Sequence, residues 1–325
     1  MSIMKENVIF VFPGQGSQYV GMAQDMFKDF ATMRYTFQQV SDLAHKDIAK
    51  ICFHGTKEEL NSPENTSLAT LAHSVAAARV IQGEYGVPMH AIAYAMAGHS
   101  MGQYSALHCA GSLAMDDTVR LLSARSSYMD ISGKNGGGMI GIVGLGENQI
   151  QEILMLAQEY GYAAISNHNA HDQFIISGEN DALNVVLENA RARGARIAKR
   201  LNIAIPAHCV LMRGAEELLR TKLQHININA PKTNWFSNHT ANFMHNPTDV
   251  KNALANQMTH GVRWMEIMEK FPAYNITRAY ELGPGHTLTR LINRAQVGCV
   301  ALPTDNGREL RIVLKDLERL MVYSR

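Results

Sequence analysis

Two short runs in the first hundred residues are apolar without alternation: "NVIFVF", residues 7–12, and "HAIAYAMA", residues 90–97. Unbroken apolarity over so few positions predicts strands buried on both faces, as in a parallel sheet covered by helices. Longer stretches with helical spacing accompany them, "SLATLAHSVAAARVIQGEYG" at 67–86 and "DDTVRLLSARSSYMDIS" at 116–132. The second begins with Asp116 and Asp117, which suit the positive end of a helix dipole. Strand and helix signals that alternate in this way describe an α/β layer.

"GKNGGG", residues 133–138, is the clearest flexible break in the chain. Beyond it the order becomes strand ("MIGIVGL"), helix ("ENQIQEILMLAQEY"), strand ("AAISN"), strand ("QFIISG"), helix ("NDALNVVLENARARG") and strand ("ARIAKRLNI"). This βαββαβ order is that of a split-βαβ, ferredoxin-like unit. After residue 203 mixed α/β signals return: "TNWFSN" as a strand, "DVKNALANQM" and "VRWMEIMEKF" as helices, "ITRAYELG" as a strand and a last helix near "ELRIVLKDLERLMVY". The expected architecture is a large α/β subdomain from residues 1–133 and 204–325, with a parallel sheet, and a small ferredoxin-like subdomain, 134–203, inserted in it. Neither an internal repeat nor a low-complexity tract interrupts this pattern.

Composition narrows the class. The chain has 325 residues, 46% hydrophobic and 18% charged, with 30 basic against 29 acidic residues. A net charge of +1 supplies no global field for nucleic acid or an anionic membrane. No apolar run approaches the roughly 20 residues that span a bilayer, and "MSIMKENVIFVF" lacks the order of a signal peptide, so a cytoplasmic protein is expected. Cys52, Cys109, Cys209 and Cys299 have no paired spacing, which argues against disulfides and a zinc knuckle. His168 and His171 fall in what reads as a polar turn, beside Asp172 alone, so no metal site and no cofactor are expected.

Candidate chemistry begins at "AGHSMGQYSALHCAG", residues 97–111. Ser100 lies between Gly98 and Gly102 after a predicted strand and before apolar positions at helical spacing, Tyr104, Leu107 and Cys109 or Ala110. This is the pattern of a nucleophile elbow, though an ordinary glycine-flanked turn has the same spacing. "VFPGQGSQYVGM", residues 11–22, is a second glycine-rich turn after a strand. It lacks the Lys-Ser/Thr ending of a P-loop and the spacing of a dinucleotide site. In a serine acyl-transfer site one oxyanion donor is the amide after the nucleophile, here Met101, and the second comes from a loop after another strand, which suits Gln15.

"VFPGQGSQYVGM", "GHSMGQYSAL", "RLLSARSSYM", "NHNAHDQFIISG", "AIPAHCVLM", "WFSNHTAN" and "ELGPGHTLTRL" resemble, in the same order and over nearly the full chain, the motifs of malonyl-CoA:acyl carrier protein transacylases. The resemblance implies a hydrolase-like α/β domain with a ferredoxin-like insertion. It makes Ser100 the nucleophile and His208 its base, a dyad in which a main-chain carbonyl from the segment of Asn256 and Gln257 orients the imidazole. Arg125 matches the arginine that clamps the free carboxylate of malonyl, whereas Arg120 and Arg290 read as solvated surface charges. Asn167, Asn169 and Asn238 match positions facing the cleft.

The sequence departs from the family pattern at several places. Met101 and Gln103 stand where leucine and glutamate are usual, Ser67 and Leu68 stand in a stretch that usually carries a glutamine, and Ala207 replaces a serine or bulkier residue. The implied reaction moves malonyl from malonyl-CoA to the phosphopantetheine thiol of an acyl carrier protein, in fatty-acid or polyketide synthesis, by a monomeric enzyme. A serine hydrolase acting on acyl carrier proteins and a non-catalytic carrier-binding scaffold are the alternatives. Because carrier proteins of such pathways are acidic, Arg191, Arg193, Arg196, Lys199 and Arg200 are candidates for docking.

Overall fold

A computed structural model describes residues 5–133 and 136–321. Its larger sheet has six strands in the order β10-β9-β1-β2-β7-β8. These are β1 (Asn7–Phe12), β2 (Ala95–Gly98), β7 (Asn234–Phe236), β8 (Phe243–Met244), β9 (Ile276–Glu281) and β10 (Val300–Pro303). The first five strands in that order pair in parallel and β8 runs antiparallel to β7. A second sheet holds β3 (Gly138–Val143), β4 (Ala163–Ala170), β5 (Gln173–Gly178) and β6 (Ile197–Arg200). Its order, β4-β5-β3-β6, is fully antiparallel and is that of a split-βαβ unit. The fold is therefore the expected α/β class.

The pleat of β1 explains why it is apolar throughout. Val8, Phe10 and Phe12 enter one core with the helix Pro63–Tyr85, while Ile9 and Val11 enter the opposite one with Ala95, Ala97 and Trp264. Successive side chains serve different layers, so both must be hydrophobic. The helix Pro63–Tyr85 has buried residues on every side, Thr70, His73 and Ser74 among them, which marks a helix surrounded by protein. It starts on Pro63 at the first turn and stops at Gly86, whose φ of 65° is left-handed. The smaller sheet has its own core, built by Ile140, Ile142, Phe174 and Ile176 against the helices Glu147–Ala157 and Asn180–Ala192.

Some expectations need correction. The strand expected across "HAIAYAMA" is confined to Ala95–Gly98, because Met89–Ile92 forms a helical turn with its buried side chains on the core. His168 lies within β4, stacked on Phe174 with ring centroids 4.6 Å apart, and only His171 and Asp172 form the hairpin turn. "ARIAKRLNI" supplies only the four-residue β6. Residues 134 and 135 of the expected break lie outside the described residues, while Gly133 ends a helix and Gly138 opens β3. Two edge strands, β8 and β10, carried too few residues to be read; Pro303 at the end of β10 suits an edge. All four cysteines are free, and no helix among the described residues is long and apolar enough to cross a membrane.

Buried imidazoles give the fold an acid limit. Burial lowers His73 and His108 to about 4 and His208 to about 3. Between those values and 6.5 the unfolded chain binds protons that the native one does not, so stability falls as pH drops through this window. Each group contributes up to about 1.4 kcal/mol per pH unit there. Glu281, raised to about 7 by burial, acts in the opposite sense between 4.5 and 7 but is a single group. Urea unfolding midpoints are expected to fall steeply from pH 6.5 to 4; a flat profile would contradict this assignment.

Candidate active site

The loops at the C-terminal ends of β1 and β2, neighbours in the sheet, bring the two glycine-rich motifs together. Ser100 occupies the turn between β2 and the helix Gly102–Cys109, with φ of +52°. That left-handed conformation strains a residue with a side chain and is the backbone feature of an elbow. Its glycines are obligatory. A Cβ on Gly98 would lie 2.0 Å from the Gly102 backbone, and one on Gly102 would lie 2.2 Å from the Phe12 carbonyl oxygen.

The Ser100 hydroxyl lies 2.8 Å from His208 Nε2, and His208 Nδ1 lies 2.7 Å from the Gln257 main-chain oxygen. Because a carbonyl only accepts, Nδ1 carries the hydrogen and Nε2 presents its lone pair to Ser100. His208 also has positive φ, 60°, and is 4% exposed. Burial first, and the Arg125 charge second, hold it neutral down to about pH 3. A neutral imidazole aimed at a strained serine hydroxyl is arranged for proton removal.

Arg125 reaches this centre from the helix Met115–Gly133. Its Nη2 donates to Ser100 Oγ at 3.2 Å and to Gln257 Oε1 at 3.4 Å, while its Nε, also buried, has no partner. The residue is 5% exposed and no carboxylate pairs with it among the described residues. A buried guanidinium without a counter-ion is costly unless an anion arrives to meet it. Arg120, by contrast, is exposed and paired with Asp116 and Asp117, and Arg290 is exposed.

Amide side chains lock the elbow. Asn238 Oδ1 accepts the Ser100 amide at 2.8 Å and Asn238 Nδ2 donates to the Gly98 carbonyl at 2.7 Å. Gln257 Nε2 donates to the Ser100 carbonyl at 2.9 Å and to Asn238 Oδ1 at 3.2 Å. Gln103, fully buried, accepts the Asn238 amide through Oε1 at 2.9 Å. That bond needs only an oxygen acceptor, so glutamine fills the position of the usual glutamate without loss of this contact. Gln257 thus provides both the carbonyl bound to His208 and a side-chain amide that holds the Ser100 carbonyl.

Asn256 does not join the site: its side chain turns to Arg220 Nη2, 2.7 Å away. Asn169 lines the cavity and accepts from His99 Nε2 at 2.9 Å, and His99 packs edge-on against Trp264. Asn167 also lines the cavity; its Oδ1 accepts from Ser166 Oγ at 3.1 Å. His99 and Gln103 are the site residues that sequence reasoning missed, although both lie inside the Ser100 motif.

Gln15 and Met101 line the same cavity of about 380 Å³, and neither amide is used as a donor elsewhere among the described residues. Met139, Ile175 and Leu201 contribute apolar wall from the smaller sheet and the segment after it. β4 is fastened to the larger part by Val262, whose backbone exchanges hydrogen bonds with Ser166 and His168. Ser67 donates to the Pro63 carbonyl at 2.8 Å and touches Met101 Sδ and Ser126 Oγ, each at 3.3 Å, whereas Leu68 is in the core. The basic residues of the smaller unit are mostly engaged: Arg193 with Glu152, Arg196 with Asp172, Arg200 with Asn180 and Asn184, and Arg191 with the Ala198 carbonyl. Lys199 alone of the five is exposed without a partner among the described residues.

Comparison with known proteins agrees with this geometry. Residues 9–295 match the acyl transferase domain family. The malonyl CoA-acyl carrier protein transacylase of Escherichia coli strain K12 is 36% identical over 286 residues, 88% of this chain and 91% of that protein. The transacylase structure from Coxiella burnetii superposes with a TM-score of 0.91 at 33% identity, covering 99% of this chain and all of that one. A malonyl-transacylase solved in complex with a type II PKS acyl-carrier protein gives a TM-score of 0.91 at 32% identity, over 95% of this chain and 99% of that one. With an elbow serine, a histidine on its hydroxyl and a buried arginine beside both, the chain belongs to the acyl transferase family, as an acyltransferase akin to the malonyl CoA-acyl carrier protein transacylases.

Proposed function

We propose that this chain transfers malonyl from malonyl-CoA to the phosphopantetheine thiol of an acyl carrier protein through a Ser100 acyl-enzyme, as a cytoplasmic monomer without a cofactor. The observation that carries this reading is the buried Arg125, paired with no carboxylate among the described residues and 3.2 Å from Ser100 Oγ. An acyl group ending in an acid supplies the missing anion, and a guanidinium fork meets a carboxylate through two parallel hydrogen bonds. The kinship with transacylases that act on malonyl CoA and carrier protein supports the same substrates.

In the first half-reaction Ser100 Oγ attacks the thioester carbonyl and its proton passes to His208 Nε2. The amides of Gln15 and Met101 stabilise the oxyanion. The carbon–sulfur bond then breaks, and His208 returns the proton to the departing CoA thiolate. In the second, the pantetheine thiol gives its proton to His208 and attacks the serine ester, and Ser100 recovers the proton as it leaves. The apolar wall from residues 139–205 limits water at the ester, so the acyl group waits for a thiol. The pathway served is fatty-acid or polyketide synthesis.

Partitioning of the acyl group tests the reading. With labelled malonyl-CoA and a phosphopantetheinylated carrier protein, label is expected on the carrier thioester; release as free malonate with the carrier unloaded would make the chain a hydrolase.

The α-carbon side of the acyl pocket should be roomy. Ala207, 5% exposed and lining the cavity, has no side chain beyond Cβ, and its carbonyl is held by Ser177 Oγ at 2.7 Å. Methylmalonyl-CoA is expected to turn over within about 200-fold of malonyl-CoA, since one methyl group changes apolar pocket binding by only ~1–3 kcal/mol. A strict preference for malonyl-CoA would contradict this.

A further inference from the structure

We propose that His286, Asp305 and Glu309 form a binding site for a divalent transition-metal cation of the zinc or cobalt kind, outside the reacting centre. One donor atom from each residue, an imidazole nitrogen and two carboxylate oxygens, lies within 4.8 Å of the others. His286 Nε2 is 3.1 Å from the Glu309 carboxylate and 3.7 Å from Asp305 Oδ2. A mixed nitrogen and carboxylate set suits zinc or cobalt, whereas magnesium and calcium prefer oxygen alone.

The three donors come from two segments at one end of the larger sheet. His286 precedes the helix Thr287–Ala295, Asp305 follows β10, and Glu309 lies in the first turn of the helix Gly307–Leu320. Protein contacts orient both acids. The Gly285 amide and the Tyr19 hydroxyl donate to Asp305 Oδ1 at 2.7 and 3.0 Å, and the Asp305 amide donates to Glu309 Oε2 at 3.2 Å.

Asp25 adds a third carboxylate at the segment between Asp305 and Glu309, where its Oδ2 accepts the Gly307 amide at 2.8 Å. Among the described residues no lysine or arginine pairs with any of these three carboxylates; His286 is the sole ionic partner of Asp305 and Glu309. A divalent ion brings two positive charges to these acids. From the interior, fully buried His73 faces the same turn, and Asp305 is the charge that acts on it most. Burial keeps His73 uncharged, so it does not supply the missing positive charge.

An ion here joins the loops after β9 and β10 and, through Tyr19, holds the segment that follows Gln15. The site is then a clamp on the wall that presents an oxyanion donor, with no part in bond making. Its test uses the full chain, freed of metal by a chelator and titrated with Co²⁺. We expect one saturating equivalent with ligand-field absorption and a raised thermal midpoint. His286→Asn and Glu309→Gln should each weaken binding at least tenfold, while Tyr19→Phe retains the spectrum. No saturable uptake in the parent chain would overturn the proposal. So would uptake unchanged in both ligand variants, which would place the ion elsewhere.

Discussion

Arg125→Ala is expected to cut acylation by malonyl-CoA roughly 30-fold to several thousand-fold while leaving acylation by acetyl-CoA close to that of the parent. The size follows from the environment: truncating one partner of a buried, hydrogen-bonded charge pair costs about 2–5 kcal/mol. Acetyl-CoA has no carboxylate, so it never gains that interaction and has little to lose. Arg125→Lys should recover charge but only part of the rate, because an ammonium does not offer the planar fork. Arg125 also touches Ser100 Oγ and Gln257 Oε1, so a purely structural role would slow both substrates alike. Steady-state kinetics with the two thioesters separates these outcomes.

His208→Ala should lower acylation by roughly 10²- to 10⁴-fold, the range for loss of a positioned general base. Its pH behaviour is more informative. Burial, then Arg125, lowers His208 to about 3, so the free enzyme keeps its base unprotonated well below pH 6.5. The acid limb of kcat/KM should therefore lie far to the acid side of an ordinary histidine. When a substrate carboxylate neutralises Arg125, one of the lowering influences is removed, and the limb of kcat should move to higher pH. Arg125→Ala should move the limb of kcat/KM in the same direction. A limb near 6.5 in the parent, unmoved by Arg125→Ala, would contradict the electrostatic account.

The parts of this site that were legible in the sequence are those where chemistry demands a residue type. A sharp strand-to-helix turn needs Gly98 and Gly102, and a nucleophile needs the Ser100 hydroxyl, so the motif carries its own explanation. β1 was legible for a similar reason, since burial on both faces demands apolar residues throughout; the helix Pro63–Tyr85 was legible from its length and helical spacing, although it also buries Thr66, Ser67, Thr70, His73 and Ser74. Gln257 was reached only as part of a segment, because any residue can offer the main-chain oxygen that orients His208. Choosing between Asn256 and Gln257 required the rotation of one helix end, which sends Asn256 to Arg220.

Gln103 was hidden for a different reason. Its partner, the Asn238 amide, lies 135 residues away and leaves no trace in local spacing. His286 shares that property with respect to Asp305 and Glu309: the segments after β9 and β10 meet at one end of the sheet, and the separations in sequence match no metal motif. His168 was misplaced because Ser166, Asn167, His168 and Asn169 are polar at successive positions of β4, a run with no apolar alternation to mark a strand.

The measurement that bears most directly on the central claim is the intact mass of the enzyme after brief exposure to malonyl-CoA, with and without a phosphopantetheinylated carrier protein. The account predicts one malonyl adduct per chain, located on Ser100, missing in Ser100→Ala and cleared by the carrier protein faster than by buffer. An adduct of equal yield in Ser100→Ala, or none with malonyl-CoA in the parent, would contradict it.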